Sequence, residues 1–360
     1  MSIFLKKFST YTHNQIHKYT KTNPKISIQN LLDFKNIKPQ NKIIFLREDL
    51  KSRFAEQITK IDNLPYGLSM MPSIQTINKW YLQSFKDISN NSLKQDTLEN
   101  IYNRHSSTLI TFSNGIMEYK NFLNNFYGND FNLNEYLNLN NRGKIINKDL
   151  DVFYTNRISI RLLISHYLEL EKKQFDTNYN GIVSLNEPLT NIINDAIISS
   201  QHICERVYNN YPKVNIKVIG DPPIFPFIKN NMFYIFLEII KNSFKATMAK
   251  HSDNIPNVDI FIYNYDNNIS IKISDYGEGI YYKDMNNIWS YFFSTAQKKR
   301  INITDQIELN DFDETSPLAG YGYGLPITNL LIKYFTDEIY ISSIKNVGTD
   351  VYLHFHKNIV

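Results

Sequence analysis

Phe233–Lys250, FYIFLEIIKNSFKATMAK, reads as one helix, and two strand-patterned runs follow it directly. Phe233, Leu237, Ile240 and Phe244 recur at helical spacing and form a core face. Glu238, Lys241, Asn242 and Lys245 fall at i, i+3, i+4 and i+7, so they share a second, polar face. Val258–Tyr263 and Ile269–Ser274 then alternate apolar and polar residues, with Asp266 and Asn267-Asn268 turning between them. Glu338–Ile344 and Asp350–His356 repeat that pattern around Asn346-Val347-Gly348. Upstream, residues 189–210 read as a helix and Asn215–Asp221 as a short strand. Helices combined with antiparallel hairpins predict an α+β domain, a mixed sheet covered by helices on one face.

The first half has no strand alternation. Residues 40–90, 93–127 and 148–172 carry apolar residues at helical spacing, broken at Pro65 and Gly67 and again over 124–144. This predicts a four-helix bundle over residues 13–175. The segment 173–187, with Asp176, Asn178, Asn180 and Gly181, marks the boundary, and residues 176–360 form the second domain. No internal repeat is visible.

Composition excludes several classes. A net charge of +4, with 42% hydrophobic and 21% charged residues, describes a globular chain without the charge excess of a nucleic-acid binder. No apolar run approaches the roughly 20 residues of a membrane span, so no membrane insertion is expected. The single Cys204 excludes an intrachain disulfide and a cysteine metal cage, and reads as a buried thiol. The first acidic residue is Asp33, preceded by Lys6, Lys7, Lys18, Lys21 and Lys25 among serines and threonines. That suits a mitochondrial targeting segment over residues 1–12, although the usual arginines are missing.

Three segments carry chemistry. Asn is a poor helix former because its amide competes with the backbone, so Asn242 in mid-helix suggests a task. Its carbonyl oxygen can hold Mg²⁺, and Glu238 one turn earlier can take a proton from an attacking hydroxyl. Asp275 ends the strand-patterned run Ile269–Ser274, and Gly277 and Gly279 let the backbone approach a ligand. A carboxylate there can accept a hydrogen bond from the exocyclic amine of adenine. Gly320-Tyr321-Gly322-Tyr323-Gly324-Leu325 runs into a helix from about Pro326, and glycine-loop amides at a helix start bind phosphate. It is neither a dinucleotide fingerprint nor a Walker loop. The polar stretch Gln297–Ser316 reads as a lid over bound nucleotide, and Lys298-Lys299-Arg300 within it as solvated or meeting phosphate.

The order Glu-x-x-Lys-Asn, Asp-x-Gly-x-Gly, Ser-Thr and Gly-x-Gly-x-Gly-Leu-Pro resembles the GHKL superfamily of ATPases and kinases. Glu238–Met248 (EIIKNSFKATM), Tyr291–Ala296 (YFFSTA) and Pro317–Thr328 (PLAGYGYGLPIT) are similar to the mitochondrial pyruvate and branched-chain ketoacid dehydrogenase kinases. So are Asn103-Arg104-His105, Gly115–Lys120 and Asn156–Ile164 (NRISIRLLI), and the resemblance runs from about His13 to about His356. It implies a Bergerat-type ATP-binding domain and a matrix enzyme that phosphorylates serine on the decarboxylase alpha subunit. ATP and Mg²⁺ are the implied cofactors. Glu238 would be the base, Asn242 the Mg²⁺ ligand, and Lys241 and Lys245 would face the nucleotide. Asp275, with Gly277 and Gly279, would read adenine, while Ser294, Thr295 and Gly320, Tyr321, Gly322, Tyr323, Gly324 and Leu325 would hold ribose and phosphates.

The implied partners are the pyruvate dehydrogenase complex, the lipoyl domains of its acyltransferase core as docking site, and a second subunit, identical or paralogous. Pro317–Gly320 favours the pyruvate branch. Tyr234, Gly348–Leu353 and a chain end close after the last strand, where the pyruvate kinases carry a long tail, lean to the branched-chain branch. Lys245 replaces the family's Arg, and Tyr276 and Glu278 replace an Arg and a Gly. Glu278 thereby brings negative charge towards the phosphates and keeps a third reading open, a degenerate nucleotide-binding regulator. His105 sits in the family's histidine box, where a structural role is expected rather than the phosphohistidine of a histidine kinase.

Overall fold

A computed structural model describes residues 16–89, 93–128, 131–172, 177–293 and 323–357. The targeting segment 1–12, the lid Gln297–Ser316 with Lys298-Lys299-Arg300, and Asp176 lie outside the described residues. Two compact units are present. The first takes the described chain up to Ile26 and that of Asp33–Gln174, and the second takes Ser27–Leu32 and the described chain from Phe175 onward.

Four long helices build the first unit: α1 (Pro39–Asp62), α2 (Pro72–Ser89), α3 (Thr108–Tyr127) and α4 (Arg142–Glu171). α1 packs on α2 and α4, and α2 packs on α3. Proline opens both α1 and α2, where its missing N–H costs nothing. Between them a 3₁₀ turn over Pro65–Met70 holds Gly67 at φ +86°, the break that the sequence marks. Phe54, Tyr81, Phe85, Phe112, Tyr119 and Phe153 fill the core. Gly115 is the point of closest approach, since a Cβ there would come within 2.6 Å of Ile74 on α2. Two expectations shift. The interval 124–144 contains a short helix, Leu133–Asn138, and α4 starts at Arg142 rather than 148. Asn140 and Asn141 take left-handed backbone at φ +51° and +57°, which turns the chain and lets α4 begin early.

The second unit contains α5 (Leu189–Tyr208), α6 (Lys229–Lys250) and α7 (Gly324–Tyr334). Its sheet comprises β1 (Val214–Ile219), β2 (Val258–Asn264), β3 (Asn268–Asp275), β4 (Glu338–Ile344) and β5 (Gly348–His356), in the order β1-β2-β3-β5-β4. β1 runs parallel to β2 and the other pairs are antiparallel, so the sheet is mixed. The period-2 pattern sends Ile260, Ile262, Ile269, Ile271, Ile273, Val351, Leu353 and Phe355 to one buried face. A ribbon of three two-residue strands, ending at Phe227–Ile228, leads into α6.

α6 departs from the expected amphipathic helix. It touches α5, α7 and β3, and Tyr234 through Ile240 is buried without a gap. Phe233, assigned to the core face, is only half-buried, whereas Glu238 from the polar face is 2% exposed. A helix enclosed by three neighbours has no solvent face over that stretch, so its polar residues line the interior.

Candidate nucleotide site

α6 carries two polar stripes. The first is Glu238, Lys241, Asn242 and Lys245, which grades from buried Glu238 through half-buried Lys241 and Asn242 to exposed Lys245. The Lys241 ammonium donates to Glu238 Oε1 at 2.5 Å and fixes the carboxylate. Its other oxygen, Oε2, lies against Gly324, where a Cβ would overlap it. The last glycine of the loop therefore stands beside the Glu238 carboxylate because only a hydrogen fits there. Gly324 also opens α7, two residues before the expected Pro326, which falls at the third position. Backbone N–H groups of the first turn lack intrahelical partners, so proline is tolerated there as well.

The second stripe is Ser243, Ala246 and Lys250, spaced i, i+3 and i+7 along α6. It faces the end of β3. Asp275 is 6% exposed, accepts the Gly277 N–H at 2.9 Å, and has the Ser243 hydroxyl and the Thr349 N–H as further polar neighbours that favour its charged form. Burial still dominates and pushes its carboxyl up to about 6. Gly277 has no room for a side chain, because a Cβ would come within 2.6 Å of Ala246. Gly279 sits at φ +65°, and a Cβ there would overlap the Ile344 carbonyl. Both glycines thus let the turn nest between α6 and the β4–β5 hairpin.

The described part of the glycine loop is Tyr323, Gly324 and Leu325. Tyr323 is buried with its ring 5.7 Å from that of Tyr291, and Leu325 is half-buried. Ser294, Thr295, Gly320, Tyr321 and Gly322 lie outside the described residues. The structure thus brings Glu238, Lys241, Asn242 and Gly324 to one point along α6, and Asp275, Gly277 and Gly279 to another.

Residues 25–184 match the family model described as mitochondrial branched-chain alpha-ketoacid dehydrogenase kinase. Residues 229–359 match the histidine kinase-, DNA gyrase B- and HSP90-like ATPase model. The two halves of the chain are thus similar to the mitochondrial ketoacid dehydrogenase kinases and to the GHKL-type ATPases, in that order along the sequence. The chain is 29% identical to the mouse pyruvate dehydrogenase (acetyl-transferring) kinase isozyme 3, over 98% of this chain and 86% of the relative. Identity to the pyruvate dehydrogenase kinase of Arabidopsis thaliana is 28%, over 92% and 90% of the two chains. The human isozyme 3 is 29% identical, over 94% and 84%.

The departures from the family pattern have physical settings. Glu278 stands at the β4–β5 turn with half of its side chain in solvent. Its carboxylate pairs with Lys345 at 2.9 Å at the β4–β5 turn, and that ammonium holds it below the usual carboxylate range. Tyr276 donates its hydroxyl to Asp259 at 3.0 Å. Tyr234 is buried in α6. His105 lies in the helical unit, 3% exposed, with Nε2 and Ser84 Oγ 2.9 Å apart and its ring 4.2 Å from that of Tyr81. Burial first, then Arg157, Arg104 and Arg161, push its pKa down to about 3, so the ring is neutral. Cys204 is buried, and burial pushes its thiol up to about 11.

Sequence reasoning missed Ser243, Thr349 and Lys250. Thr349 stands in register opposite Asp275, a pairing that only the β3–β5 ladder reveals. Ser243 carried no signal beyond its neighbours. Among the described residues no helix is long and apolar enough to cross a membrane.

Proposed function

We propose that the chain is a mitochondrial-matrix protein-serine kinase that uses Mg-ATP to phosphorylate, and so inactivate, the decarboxylase alpha subunit of the pyruvate dehydrogenase complex. The observation that carries this reading is the buried Glu238 carboxylate, fixed by Lys241 and abutting Gly324 at the start of α7. The names of the curated relatives, from mouse, human and Arabidopsis thaliana, give the substrate complex and the compartment.

The residues present fit Mg-ATP. Asp275 offers a buried acceptor for the adenine amine, and Gly277 and Gly324 let the turn after β3 and the start of α7 close directly on α6. Asn242, half-buried next to the base, offers a hard carbonyl oxygen for Mg²⁺. Bound Mg-ATP supplies the phosphoryl group and the charge that neutralises it. Glu238 takes the proton from the substrate serine hydroxyl, and Lys241 keeps its carboxylate aimed. Lys245, exposed at the end of the stripe, meets the nucleotide as a point charge rather than as a bidentate fork. Ser294, Thr295 and the loop from Gly320 complete the phosphate and ribose contacts in this reading. Docking on lipoyl domains of the acyltransferase core, and pairing with an identical or paralogous subunit, belong to the same reading through the family.

The test is transfer of labelled phosphate from Mg-ATP to purified pyruvate dehydrogenase complex, with the branched-chain complex as control. Serine label on the pyruvate alpha subunit, accompanied by falling complex activity, is expected. Label confined to the branched-chain complex overturns the substrate assignment. Nucleotide binding without transfer to either overturns the kinase reading.

A further inference from the structure

The second stripe of α6 ends in an arrangement that the kinase reading does not use. Lys250 Nζ donates to the carbonyls of Asn346 at 2.9 Å, Tyr276 at 3.1 Å, Gly277 at 3.2 Å and Val347 at 3.5 Å. These four oxygens come from two separate turns, the one after Asp275 and the one joining β4 to β5. His251 Nε2 sits 3.0 Å from the same Tyr276 carbonyl. The two turns interlock around this point. Asn346 N–H donates to Glu278 O at 2.6 Å, Ile280 N–H donates to Ser343 Oγ at 2.8 Å, and Lys345 pairs with Glu278. A Cβ at Gly348 would overlap the Asp275 carbonyl, so the turns approach as closely as backbone allows.

We infer that Lys250 is a positioning residue for nucleotide binding: its ammonium acts as a tethered cation in a carbonyl cage, locking the Asp275–Gly279 turn to the β4–β5 hairpin and both to α6. The physical argument is one of charge and donors. Carbonyl oxygens from two turns that converge this closely repel one another, and a cation between them removes that repulsion and adds charge-assisted hydrogen bonds. The cation is covalently part of the helix that carries Glu238 and Asn242. The register between Asp275 and Asn242 is therefore set at two levels of one helix. Ser243 and Ala246 fix it in the middle, and Lys250 fixes it at the far end. The exposure of Lys250 does not remove the effect, because the geometry is held by several partners rather than by one long-range pair.

The inference rests on the nucleotide-site reading, and its test separates the two. Wild type, Lys250→Met and Lys250→Arg are compared by calorimetric titration with Mg-ATP, by KM and kcat for phosphate transfer, and by amide hydrogen exchange over 275–280 and 343–349. Met keeps the stem without the charge. It is expected to raise the Kd and KM for ATP about three- to tenfold while kcat at saturating ATP falls less than about twofold, and to speed exchange in both turns. Arg restores most of the affinity and protection. Unchanged affinity and protection in Lys250→Met overturns the inference alone, as does an Arg variant no better than Met. Absence of nucleotide binding by wild type overturns the nucleotide-site reading, and the inference with it.

Discussion

Asp275→Asn exposes a conflict between stability and binding at one carboxylate. Asp275 is pushed from its ordinary 3.8 to about 6, chiefly by burial, against hydrogen bonds from Gly277, Ser243 and Thr349. A folded pKa above the unfolded value means that the folded state holds the proton more tightly. Stability is then lost as pH rises between about 4 and about 6, and the full penalty persists at neutral pH. Two units correspond to about 3 kcal/mol at about 1.4 kcal/mol per unit. Asn keeps an oxygen for the Gly277 N–H but gives up the charge-assisted part of those bonds, so the expected net gain at pH 7.5 is about 1–2 kcal/mol. For a unit of this size that raises Tm by about 2–8 °C. The same change replaces a charged acceptor for adenine with a neutral one, and the Kd for ATP is expected to rise about tenfold, or about 1.4 kcal/mol. The assay is a pair of apo melting curves at pH 7.5 and pH 4.5, with ATP titration at pH 7.5. The stability gain must shrink at the lower pH, where the wild-type carboxyl is itself protonated. A variant that is no more stable at pH 7.5, or whose gain does not change with pH, refutes the burial argument. Unchanged ATP affinity removes Asp275 from the site.

Two other outcomes follow from the geometry. Glu238→Gln keeps the size of a side chain wedged between Lys241 and Gly324, so ATP binding should persist while transfer falls about 10²–10⁴-fold; equal loss of binding and transfer, measured by titration and by labelled-phosphate transfer, would count against a base. His105 has a folded pKa of about 3, below its ordinary 6.5, so the unfolded chain takes up a proton first on acidification and the helical unit loses stability as pH falls from about 6.5. At pH 5 that loss is about 2 kcal/mol, and urea titrations at pH 7.5 and pH 5 should show it in wild type and not in His105→Gln.

Much of the architecture was legible because it rests on short-range pattern. The alternation of Ile269, Ile271 and Ile273 locates β3, and Asn346-Val347-Gly348 locates the last hairpin. Pro65 and Gly67 mark the break between α1 and α2. Periodicity failed where burial is not one-sided. α6 is enclosed, so its polar stripe reads as a solvent face in sequence and holds a buried carboxylate in the structure. The motifs supplied residue types for the site, but not which oxygen of Glu238 meets which neighbour, because Gly324 lies 86 residues further along the chain by number (324 against 238). Lys250 was invisible for the same reason, its four carbonyls coming from residues 276–277 and 346–347. The pairing of Glu278 with Lys345 was not legible either, because the two residues lie on separate turns that only the tertiary fold brings together.

The enclosure of α6 has a consequence for how the protein fails. Catalytic groups in many folds sit on loops that open locally while the scaffold stays intact. Here Glu238 and the second stripe are borne by a helix flanked by α5, α7 and β3. Exchange of its central amides should require opening of the whole unit, so there is no partly melted form that keeps the fold and loses the base. Loss of this part of the site is then cooperative. A destabilising substitution in the unit's core, away from Asp275 and the turns that Lys250 joins, lowers the number of competent molecules without producing slower ones, and residual activity in such variants reports the folded fraction.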